Sequence, residues 1–116
     1  MSLLLNPTGL RQALQLTEQA QFRLNTIWDR NRPTDAAADA YIEAHGLNAY
    51  GAWHLAIDPT AAPDSKEYYQ LPYGDYKSVH YTGVRSIQQN AERAGLTDVS
   101  QAAEQILDLL DRFNAC

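Results

Sequence analysis

One stretch, Ala52 to Val84, limits what this chain can fold into more than any other. Trp53, Leu55 and Ile57 alternate there with His54, Ala56 and Asp58, the two-residue period of a strand with one buried face. Asp58-Pro59-Thr60-Ala61-Ala62-Pro63-Asp64-Ser65 is turn material, since both prolines suit a turn better than a sheet interior. Glu67 to Leu71 then reads as a returning strand closed by Pro72. Val79 and Tyr81 are compatible with a third short strand or with the first turn of a helix. The same region holds five of the seven tyrosines, at 68, 69, 73, 76 and 81, and two of the three histidines.

The remainder reads as helix. Asn6 is placed to cap a helix with Pro7 at its first position, where a missing N–H costs nothing. Leu10, Leu14, Thr17, Ala20, Leu24, Ile27 and Trp28 continue that stripe, so the spacing predicts one long helix over residues 7–30, ended by Arg32-Pro33. Thr34 caps a second, over 35–45, with a narrow face of Ala37, Ala40, Tyr41 and Ala44 and with Gly46 as its stop. Leu47 to Gly51 reads as a loop. Val84, Ile87, Ala91 and Ala94 predict a helix over 82–94 stopped by Gly95. Thr97 caps the last, over 98–113, whose apolar stripe from Val99 through Phe113 is the strongest in the chain. The expected fold is α+β: one domain over residues 1–116, with helices packed around a small antiparallel hairpin sheet of two or three strands.

Charge narrows the function classes. The formal net charge is −5, and residues 34–63 hold Asp35, Asp39, Glu43 and Asp58 with no lysine or arginine. Phosphate neutralisation supplies most nucleic-acid affinity, and no segment is strongly basic, which argues against that partner. No apolar run is long enough for a membrane span, and Met1 to Leu5 lacks the basic start and length of a signal segment. Cys116 is the only cysteine, so an internal disulfide and a cysteine-based zinc motif are both excluded. A cytoplasmic protein without a cofactor is the expectation.

His80, Asp75 and Tyr81 are the candidate catalytic residues, because an imidazole, a carboxylate and a phenol in one loop can trade protons. His54 and His80 are the candidate metal ligands. On a strand, however, His54 and Asp58 lie about 13 Å apart, too far for one ion. Tyr73-Gly74-Asp75-Tyr76-Lys77-Ser78 has the residue types of a phosphate loop without its spacing, and Gly83 opens a helix with Arg85 close behind. The tyrosines have three possible uses: covering the hairpin, forming an interface, or stacking on bases. Tyr68, Tyr69, Tyr73, Tyr76, Lys77 and Arg85 are accordingly the candidate ligand or interface set. Leu10, Thr17 and Leu24 recur at seven-residue intervals, interleaved with Ala13, Ala20 and Ile27, a seam that predicts a homodimer.

The order Trp53-x-Leu-Ala-x-Asp58, Lys66, Tyr69, Leu71-Pro72-Tyr73-Gly74-Asp75, Val79-His80-x-x-Gly83-Val84 and a closing helix pair resembles small bacterial and phage-associated proteins over roughly residues 50–113. That resemblance brings no catalytic motif. The reading it joins is a non-enzymatic interaction or assembly module, most simply a homodimer or a binder of another protein. The alternatives are a small enzyme or ligand-binding protein with its site in the Tyr73–Tyr81 loop, and a nucleic-acid accessory protein.

Overall fold

The computed structural model describes residues 3–115; Met1, Ser2 and Cys116, and with the last the single thiol, lie outside the described residues. The fold is α+β, a single globule with a small sheet among helices. Strands β1 (Leu4–Leu5), β3 (His54–Ile57) and β4 (Tyr69–Pro72) form a sheet in the order β1-β3-β4, antiparallel throughout. A separate parallel pair joins β2 (Phe22–Arg23) to β5 (Val79–His80). The helices are α1 (Pro7–Glu18), α2 (Trp28–Asn31), α3 (Asp35–His45), α4 (Leu47–Gly51), α5 (Tyr81–Arg93) and α6 (Thr97–Ala115). Among the described residues no helix is long and apolar enough to cross a membrane.

β3 is the middle strand, and its setting corrects the half-buried reading. Trp53, His54, Leu55 and Ala56 are all buried, because α1 and α6 cover one side and the α4 and β4 residues the other. Leu55 meets Val84, Val99, Ile106 and Leu110 in one apolar cluster, to which Ala13 and Ala103 also belong. Approach of α1 to β3 is close enough that a Cβ at Gly9 would collide with the His54 carbonyl. Asn6 stands at the N-cap of α1, yet its side chain makes no cap bond. Its Nδ2 instead donates to the carbonyls of Gly51 (3.0 Å) and His54 (2.9 Å), fixing the backbone on which His54 is carried.

The predicted long helix breaks after Glu18. Ala20 adopts a left-handed φ of 62°, while the Gln21 N–H donates to the Leu16 carbonyl (2.8 Å) and the Ala20 N–H to that of Thr17 (3.0 Å). These are the paired bonds of a Schellman stop, here made without the usual glycine. Tertiary burial wins over the helical stripe: Phe22 pairs with Val79, and its ring lies 5.6 Å from that of Phe113. The predicted dimer seam fails with the helix. Leu24 and Ile27 are not on α1, and Ala13 and Thr17 are fully buried in the chain's own core.

α3 keeps its predicted bounds, its Thr34 cap (Ala37 N–H to Oγ1, 3.1 Å) and its Gly46 stop. Its inward face is shifted: Ala38 is buried, whereas Ala37, Ala40 and Ala44 are exposed. Leu47 to Gly51 is helical rather than a loop. The returning strand starts at Tyr69, after a single 3-10 turn over Lys66–Tyr68, and Pro72 lies within it at the sheet edge, where proline is tolerated. Val79 and Tyr81 divide between the two readings, one ending in β5 and the other opening α5. Thr97 lies within the first turn of α6 rather than preceding it.

Candidate functional site

His80 and Asp75 come together as the sequence suggested. β5 carries His80 into the core at 1% exposure, and its Nε2 stands 3.0 Å from Asp75 Oδ2. The ring N–H is poorly aligned for a directed hydrogen bond, so the contact is chiefly electrostatic. Asp75 Oδ1 accepts from the N–H groups of Ser78 (2.8 Å) and Lys77 (3.1 Å), which holds the turn between β4 and β5. Burial raises the Asp75 pKa, but His80 and those two amides outweigh it and hold the carboxyl below its usual range.

The third member of this group is Thr26, not Tyr81. Thr26 Oγ1 lies 2.7 Å from His80 Nδ1, and the Thr26 carbonyl accepts from Thr82 Oγ1 (3.1 Å). With Nε2 facing a carboxylate, a proton on that nitrogen leaves Nδ1 free to accept from the threonine hydroxyl, an assignment made from the partners. Tyr81 turns to Asp111 instead; its pKa is raised by burial and by that carboxylate. Thr26 fell inside the predicted long helix, so no sequence signal singled it out. The Trp28 ring, 5.5 Å from that of His80, closes over the group.

The tyrosines separate into two populations. Tyr73 is fully buried: its hydroxyl donates to the Ala52 carbonyl (2.7 Å) and accepts from Gln12 Nε2 (3.3 Å), and burial raises its pKa. It is core, as a cover for the hairpin would be. Tyr69 and Tyr76 line a groove of about 270 Å³ between α3 and β4, with Tyr50, His54, Leu71 and Arg32. Tyr68, Lys77 and Arg85 are not part of that lining. Tyr68 stands edge-on to Tyr69 at 5.2 Å, and Lys77 and Arg85 are exposed.

Two of the groove residues have unusual backbones. Leu71 has φ 62° and Tyr76 φ 67°, a left-handed conformation that costs a bulky side chain free energy and persists only where the surroundings enforce it. Tyr76 stacks on Tyr41 at 4.4 Å and stands edge-on to Trp53 at 6.0 Å, the packing that holds it. Tyr50, which sequence reasoning passed over, lies 4.4 Å from the His54 ring, four residues ahead of it. That short separation, across the junction of α4 and β3, was its only signal.

His54 forms the buried floor. Its Nδ1 donates to the Tyr50 carbonyl (2.9 Å), and burial lowers its pKa to about 4, against the smaller effect of its backbone bonds. The ring is therefore neutral at pH 7. Burial raises the Tyr50 pKa; Lys66 opposes that, and Asp35, Asp39 and Glu67 add to it. Tyr76 is raised by burial, then by Tyr50, Tyr41 and Asp39. His54 and His80 thus stand in separate surroundings, and no three His, Cys, Asp or Glu side chains gather among the described residues as an ion would need. No known protein family, curated protein or solved structure matches this chain.

Proposed function

We propose that the protein is a non-enzymatic interaction module, of the bacterial and phage-associated kind its sequence resembles, and that it recognises a partner protein through the tyrosine groove. The supporting observation is that Tyr50, Tyr69 and Tyr76 converge on one groove of about 270 Å³ whose wall includes the two left-handed residues Leu71 and Tyr76. Tyrosine suits such a surface because it offers a large apolar body and a polar tip at low entropic cost. The experiment is selection from a random peptide display library, followed by titration of the selected peptides. Binding should weaken about tenfold in Tyr69→Ala, the loss expected of a central aromatic anchor. Selected peptides that bind Tyr69→Ala as well as the parent protein, with an unchanged far-UV spectrum, sink the reading.

A second copy of the chain is the other candidate partner, and light scattering distinguishes the cases. A mass near 13.0 kDa at high concentration removes the homodimer. The observation favouring an enzyme is the Thr26–His80–Asp75 group, which places a hydroxyl, an imidazole and a carboxylate in contact at 2.7 and 3.0 Å. With His80 only 1% exposed, the group reads more simply as a buried polar clasp joining the 24–27 loop to β5.

A further inference from the structure

The charges around the tyrosine groove indicate what enters it. Its α3 wall belongs to the segment 34–63, which holds four carboxylates and no lysine or arginine. Arg32 and Asp35 line the groove itself. Asp39, Glu67 and Lys66 lie close enough to act on the Tyr50 phenol. Lys66 is tied to Asp39 at 2.9 Å, so that pair largely cancels. Asp35 and Glu67 then stand against Arg32, and the floor, His54, is neutral. The local field therefore favours a cation.

Ring geometry points the same way. Aromatic faces attract cations placed within about 6 Å of the ring centroid. The Tyr50 and Tyr69 rings stand at 79° to each other, and Tyr50 and Tyr76 at 42°. A flat guest needs parallel walls to stack between, which these angles do not offer, whereas a compact charged group can lie against the part-exposed Tyr69 and Tyr76 rings. Beside them, β4 is an edge strand whose Gln70 and Leu71 border the groove, so an extended chain can lie along it.

We infer that the groove holds a lysine side chain presented by an extended segment of a partner protein. This rests on the groove being the recognition site, and the same library selection tests the two separately. Selected peptides should share one basic position. Replacing that residue with norleucine should weaken binding about tenfold, as expected for a cation held against aromatic faces and carboxylates. Asp35→Asn, an exposed change, should cost about threefold, and raising salt from about 0.05 to about 0.5 M should weaken binding further. Groove-binding peptides without a basic position, or with norleucine as effective as lysine, overturn this inference and leave the recognition site standing. Peptides insensitive to Tyr69→Ala overturn both.

Discussion

His54 and His80 are both buried histidines, at 3% and 1% exposure, and they are held by different kinds of partner. His54 has only a backbone carbonyl for its Nδ1, so burial dominates and the ring stays neutral. His80 has a hydroxyl hydrogen-bonded at one nitrogen and a carboxylate 3.0 Å from the other, so side chains from two other segments stand against its ring. What distinguishes them is the partner supplied, not the depth. One consequently serves as an uncharged floor for a groove, and the other fastens the 24–27 loop to β5.

Deleting the fastener should have the largest effect. His80→Ala is expected to cost about 4 kcal/mol, from the cavity and from the partners left unanswered, measured by urea denaturation. His54 should show itself through pH. The unfolded histidine, with an ordinary value of 6.5, binds a proton across a range in which the folded one, at about 4, does not. Stability should therefore fall by about 3 kcal/mol as pH drops from 6.5 to 4, and His54→Gln should flatten that slope. A slope unchanged in His54→Gln would erase the distinction between the two sites.

Asp75 should answer in a different window. Its folded pKa is depressed, so its contribution is present above the unfolded carboxylate value of 3.8 and is lost as pH falls through the folded one. Asp75→Asn keeps the Oδ1 acceptor but removes the charge facing His80, an expected loss of about 1.5 kcal/mol at pH 7. Titrating both variants in parallel would resolve the acid limb into a His54 part and an Asp75 part.

How far the sequence could be read depended on whether the deciding partner was local. The α5 stop was legible because glycine occupies it: Gly95 has φ 74°, with the Leu96 N–H on the Ala91 carbonyl at 2.8 Å. The α1 stop uses the same bond pattern, but with Ala20, and was invisible because alanine favours helix. Its cause lies some 57 residues away, where β5 offers Phe22 a strand partner at Val79. Ala20→Gly should remove the strain and stabilise the fold by about 0.7 kcal/mol, the smallest of these effects, seen as a small rise in Tm. Asp75 and His80 were found because they lie within one short loop. Thr26 was missed because only long-range packing gives it a role, and Tyr50 because it lies in the segment Leu47 to Gly51, which reads as a loop.

The pairing of β2 with β5 also bears on the order in which the molecule can assemble. β5 lies nearly sixty residues after β2, and α1 rests against α6, the last of the described helices. As the chain is made from its amino end, β3 can cover part of the apolar side of α1 early, but the rest stays open until α6 has left the ribosome. Closure of the core therefore waits for α6, and a nascent chain halted before it would be an open target for protease.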